Sequence, residues 1–146
     1  MARELDQMLG YHIGVVSHLI QKRHNQNLAK YDLTTSQAKV LYFLTKHGEQ
    51  TQVELQRRLY IQASSMNGII DSMRKNDLIE KRNHPNDGRT KVIQLTDKGS
   101  DLEKQLWSEV EIQDEELLEG FTNEEQQLMI SWLKRIETNM KDKLDC

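Results

Sequence analysis

Residues 83–91 read Asn-His-Pro-Asn-Asp-Gly-Arg-Thr-Lys and hold the only proline in a chain of 146 residues. Short apolar-alternating runs flank them, "LIEKR" before and "VIQLT" after, so the pattern predicts a hairpin with arms Leu78–Asn83 and Arg89–Leu95. Asn86, Asp87 and Gly88 are residue types that accept the positive φ of a tight turn, and Pro85 stiffens the approach. Asp87 stands two residues before Arg89, close enough to hold the guanidinium extended by a charge-assisted hydrogen bond. A long cation at such a tip suits a narrow, electronegative groove, with Lys91, Lys81 or Arg82 left for phosphates.

A second set of polar residues lies on the preceding helix, 62–76. At 100° per residue Met66, Ile69, Ile70 and Met73 share one side. Ser64, Gly68, Asp71 and Lys75 lie opposite, flanked by Ser65, Asn67 and Ser72. Side chains this small let a helix sit deep in a major groove, where hydroxyls and amides reach base edges; an ordinary solvent face is the other reading. Candidate DNA contacts are therefore Ser64, Ser65, Asn67, Gly68, Arg74 and Lys75 on the helix, with Asp87, Arg89 and Lys91 on the wing. Phosphates would repel Asp71 unless Lys75, one turn on, masks it.

Helices must position these groups. Apolar residues from Leu5 to Ile20 recur at three and four, one helical stripe. Thr34 or Thr35 caps the next helix, which buries Ala38, Leu41 and Leu44 and stops at Gly48. Thr51 opens a very short helix carrying Val53, Leu55 and Leu59, and Tyr60-Ile61-Gln62 leads into the polar-faced one. Asn76 or Asp77 must take a left-handed conformation at its end. Thr96 starts a helix with Leu102, Leu106 and Val110 inward. Thr122 and Glu125 form a capping box for a last helix bearing Leu128, Trp132, Leu133, Ile136 and Met140. Two short helices, a tight connection and a hairpin make the helix-turn-helix-plus-wing order.

Charge is unevenly shared. The net charge is −3, yet residues 51–98 hold nine basic against six acidic side chains, and 99–146 hold five against thirteen. Screening over about 8 Å lets a basic face meet phosphates while the acidic third points elsewhere. Aromatics are few (5%) and mean hydropathy is −0.76, which with abundant Leu, Glu, Lys and Gln favours helix. No run approaches the roughly 20 apolar residues of a membrane span, and the N-terminus lacks a signal-peptide layout. A cytoplasmic protein without membrane contact is expected. The apolar stripes of the first and last helices outrun what one small domain can cover, so pairing of two copies through these helices is expected.

No phosphate loop, His-Glu-x-x-His or nucleophile elbow occurs, so catalysis is not expected. His12, His18 and His24 recur every six residues, which turns each by 240° and makes a poor metal site. His47 and His84 stand alone, and no cofactor or metal is expected. The single cysteine, Cys146, is terminal and permits no intrachain disulfide.

Over nearly its whole length the chain resembles the MarR family of winged-helix transcription regulators. The residues that carry this are Leu33-Thr34 with Gln37, Leu41 and Leu44, "IIDSMRKNDLIEKR", and above all "PNDGRTKVIQLTDKG". There Asp87, Arg89, Leu95, Thr96 and Gly99 fill the family's Asp-x-Arg wing tip and Leu-Thr-x-x-Gly helix start. The resemblance implies a mostly α fold with a small two-stranded β wing. It implies one domain, with a winged helix-turn-helix lobe over about 32–98 and dimerisation helices over about 1–31 and 99–146. It further implies a homodimer that binds pseudo-palindromic double-stranded DNA, most often as a repressor released by a small phenolic or otherwise amphipathic ligand. The family often has an arginine where this chain has Gly68, so Asn67, Ser64 and Ser65 become the base readers. A protein-interaction module that has lost DNA binding is the rival expectation.

Overall fold

The computed structural model describes residues 3–144 and divides them between two compact units, one ending at Trp107 and one beginning at Ser108; Cys146 lies outside the described residues. In order the elements are a 3-10 turn Leu5–Gln7, α1 Leu9–Ala29, α2 Thr35–His47, β1 Gln50–Thr51, α3 Gln52–Leu59, α4 Ala63–Lys75, β2 Ile79–His84, β3 Asp87–Leu95, α5 Asp97–Leu117 and α6 Asn123–Lys143. The mostly helical fold with a small β wing is as expected. The sheet carries one strand more, because Gln50–Thr51 pairs antiparallel with Val92–Ile93 to give the order β1-β3-β2. Two residues are too few for any alternation to betray a strand.

In the first unit the sequence sets helix starts and stops locally. Thr34 and Thr51 each accept a hydrogen bond from the amide three residues on, and the Gln37 and Glu54 side chains accept one in return from the cap's own N–H. Left-handed residues follow three helices, at Asp32, Tyr60 and Asp77. At Asp77 the pattern is complete. The Leu78 N–H reaches Met73 O at 3.0 Å and the Asp77 N–H reaches Arg74 O at 3.0 Å, closing α4 in a Schellman turn. Met66, Ile70 and Met73 of α4 are fully buried with Leu28, Val40, Leu41, Leu55 and Ile93, while Ile69 packs at the edge of this core. Full burial of each such side chain contributes about 1.5–3 kcal/mol.

The junction after β3 ties this core to the wing. The Thr96 N–H donates to Leu78 O at 3.1 Å and its hydroxyl to Asp77 O at 2.6 Å. The same hydroxyl accepts from the Gly99 N–H at 3.0 Å, and Lys98 Nζ donates to Asn76 O at 2.9 Å. Gly99 is buried so closely that a Cβ there would lie 2.1 Å from Leu78 O. The Leu-Thr-x-x-Gly pattern is thus a docking site for the end of α4.

The second unit holds the rest of α5 and α6, the latter opened by the expected Thr122–Glu125 capping box. Helix α6 buries no residue; Leu128, Ile130, Trp132, Leu133 and Met140 are all about half exposed. Leu9, Val16, Leu19 and Ile20 of α1 are likewise exposed. No helix of the described residues is long and apolar enough to cross a membrane.

Replacing Gly99 by alanine forces the backbone of α5 away from Leu78. Overpacking of this kind costs about 1–3 kcal/mol, so Gly99→Ala is expected to lower the urea midpoint clearly. An unchanged midpoint would mean the junction yields freely.

Candidate nucleic-acid interface

Helix α4 presents Ser64, Ser65, Asn67 and Gly68 on its exposed side, and Arg74 and Lys75 are exposed in its last turn. The periodicity is right for these, but Ser72 belongs to the inner flank. Its hydroxyl accepts from Nε2 of the buried Gln37 at 3.2 Å, which couples α2 to α4. Asn67 is held from outside its own helix, since Gln52 Nε2 of α3 donates to its Oδ1 at 2.6 Å. The expected masking of Asp71 by Lys75 is not formed, whereas Arg82 pairs with Glu49 and Lys141 with Glu137. Gly68 has nothing within 4 Å of where a Cβ would stand. Glycine inside a helix costs about 1 kcal/mol against alanine, and no contact within the fold requires it here.

Wing strands β2 and β3 pair antiparallel from Ile79–Leu95 to His84–Asp87, with an irregularity between Asn83 and His84. The connection is Pro85-Asn86, not Asn86-Asp87-Gly88. No residue of 83–91 has a positive φ, so the expected left-handed turn is corrected. Proline favours the first position of an ordinary turn with negative φ. Such turns fit the strand twist poorly, and the register shift at Asn83 and His84 takes up the mismatch. His84 is not idle, because its Nδ1 accepts from the Asn86 N–H at 3.1 Å.

Asp87 also acts differently from expectation. Its Oδ1 accepts the backbone N–H of Arg89 at 2.9 Å and its Oδ2 the Thr90 hydroxyl at 2.8 Å. The carboxylate therefore caps the start of β3 and does not grip the guanidinium. Arg89 stays exposed, its side chain leaving a backbone fixed at the root. Lys91 is hydrogen-bonded to Asn83 across the hairpin, and Arg82 is paired with Glu49. Arg89 is thus the exposed cation at the tip that Asp87 leaves ungripped. Sequence reasoning does not find Thr90 or Gln52. A hydroxyl three residues from Asp87 is a weak signal, and an amide fifteen residues from Asn67 is none.

Both candidate groups belong to the first unit, where α4 packs against β2 and the sheet. That is the arrangement of a helix-turn-helix lobe with its wing. The MarR family model matches residues 31–90, from the end of α1 to the middle of β3. Over that stretch the chain is similar to the MarR family. Relatives that match over most of the chain are named as HTH-type transcriptional regulators. The uncharacterized HTH-type transcriptional regulator YsmB of Bacillus subtilis is 27% identical over 128 residues, 88% of either chain. A cysteine-to-serine mutant of MarR from E. coli, solved with operator DNA, is 24% identical with a TM-score of 0.79, over 92% of this chain and 99% of that one. BpsR of Bordetella bronchiseptica, whose DNA binding is regulated by 6-hydroxynicotinic acid, has a TM-score of 0.82 at 18% identity, over 94% and 98%. At these identities the two structures speak for the fold.

The Asp87 carboxyl is held below the usual carboxylate range, first by the Arg89 N–H and then by the Thr90 hydroxyl, with His84 adding a smaller effect. A depressed pKa means the cap is complete above the ordinary aspartate range and is lost as pH falls through the lowered value. The Arg89 amide resonance should therefore titrate below an ordinary aspartate, and Asp87→Asn should abolish that step. A midpoint at the ordinary value would reject the cap.

Proposed function

We propose that this chain is a MarR-type transcriptional regulator, a homodimer that binds pseudo-palindromic double-stranded DNA, with α4 in the major groove and the 83–91 wing at the minor groove. The observation that carries this is the pairing, on one lobe, of a slim exposed polar face at Ser64, Ser65 and Asn67 with a capped wing tip offering Arg89. Arg74 and Lys75 at the end of α4 suit flanking phosphates, and Lys91 and Asp87 shape the wing. The MarR–operator complex supports the DNA reading by likeness of fold. Half-exposed apolar residues along α1 and α6 support the dimer, since leaving them wet forgoes about 25 cal/mol per Å². Two lobes joined in this way combine phosphate contacts that one lobe makes too weakly.

The outcome is repression, relieved by a small amphipathic or phenolic effector that binds the two states of the dimer unequally; the effector-regulated BpsR supports that half of the reading. The rival, a protein-interaction module without DNA binding, draws on the alternating charge of the C-terminal helix pair and on Gly68.

A gel shift against genomic fragments at two salt concentrations separates the readings. DNA binding that weakens with salt is expected, and no retained fragment favours the rival. On a retained fragment, Arg89→Ala should weaken binding by about 1–3 kcal/mol while sedimentation still shows a folded dimer. Unchanged affinity would remove the wing from the mechanism.

A further inference from the structure

The bond between Gln52 and Asn67 has no evident use in holding the fold. Both side chains are at the surface, and the bond joins the first residue of α3 to the exposed face of α4. A solvent-exposed amide–amide bond contributes little to stability. Its effect is to orient. With Oδ1 turned to the Gln52 donor, Asn67 keeps a second lone pair on Oδ1 and both hydrogens on Nδ2. We infer that Gln52 is a positioning residue that presents Asn67 to read an adenine. This rests on the proposed binding of DNA by α4 and names the base that it reads.

Adenine offers N7 as acceptor and N6 as donor at its major-groove edge, and an asparagine amide meets both at once. Guanine puts the acceptor O6 where adenine has its donor, so an oxygen held in that place is repelled. A free asparagine could turn its amide over and lose the distinction. The Gln52 donor fixes which end is oxygen.

Gln52 must itself be fixed, and its place supplies the means. Its Nε2 has a second hydrogen, and the first helix of a helix-turn-helix crosses the phosphate backbone. A phosphate oxygen accepting that hydrogen holds the glutamine amide the same way round. The result is a relay from phosphate through Gln52 to Asn67 to base. Gly68 completes it, because beyond its chain neighbours and its own helix backbone nothing lies within 4 Å of its missing Cβ. The edge of the base pair can therefore come close.

The test selects bound duplexes from a random-sequence pool with the full-length protein, Gln52→Ala, Asn67→Ala and the double variant. Wild type is expected to prefer an A·T pair at one position of each half-site. Asn67→Ala should erase that preference by on the order of tenfold. Gln52→Ala should weaken it severalfold at the same position, and leave the salt dependence unchanged because a neutral amide displaces no counterion. In the Asn67→Ala background Gln52→Ala should have no further effect on base preference, a coupling that a merely structural role would not produce. A wild type that selects no sequence overturns the DNA-binding reading and this inference with it. A wild type that selects an operator, with Gln52→Ala keeping the same preferences or Asn67→Ala altering a G·C position, overturns the inference alone.

Discussion

The lobe depends on a backbone contact between the start of α5 and the end of α4. Leu78 O lies where a side chain at position 99 would begin, and Thr96 holds the carbonyls of Asp77 and Leu78. Asp77 adopts the left-handed conformation that turns the chain from α4 into β2. A non-glycine residue there is strained unless its surroundings hold it, and Thr96 and Lys98 supply that hold through the carbonyls of Asp77 and Asn76. Because β3 ends at Leu95 and Thr96 follows at once, one cluster fixes the exit of α4, the base of the wing and the entry of α5. The wing's two strands are anchored at the end away from their tip, and the tip must be ordered by other means.

Those means are local. Pro85 removes conformational freedom from the connection, and Asp87 commits both carboxylate oxygens to the residues just after it in β3. An ion pair from Asp87 to Arg89 would have neutralised the cation at the tip. Capping the Arg89 amide instead orders the backbone and leaves the guanidinium outside, though an adjacent carboxylate still tempers its charge. Two other wing cations are already engaged, Arg82 with Glu49 and Lys91 with Asn83. The division separates residues that build the hairpin from the one that extends past it.

What is legible in the sequence is what is local. Capping threonines at 34, 51 and 122, the apolar stripe of α4, and the turn at Asp77 all express chemistry within a few residues of chain. The exposure of Ser64, Asn67 and Arg89 is legible for the same reason, since it follows from helical and hairpin periodicity. The rest needs partners distant in sequence. Strand β1 exists because Val92 and Ile93 lie beside it. Ser72 turns inward because Gln37, thirty-five residues earlier, reaches it. The hairpin turn misleads for a different reason. Asn-Asp-Gly advertises positive φ, but the proline one residue earlier sets the turn first, and the glycine is absorbed into β3.

Neutral amides do much of the long-range joining in this lobe. Buried Gln37 accepts the Thr34 N–H and donates to Ser72. Buried Gln50 donates to Phe43 O at 3.2 Å and accepts from Arg58 Nε at 2.8 Å. Gln52 does the same kind of work at the surface. Ion pairs at positions 37 and 50 would have required buried charges, whose desolvation costs several kcal/mol each. They would also have placed carboxylates beneath the exposed polar face of α4. An amide donates and accepts without adding charge, so the helices are held in register while residues 51–98 keep their excess of basic side chains. The acid that balances the chain is carried by 99–146 instead, so that within residues 51–98 the cations are not answered one for one.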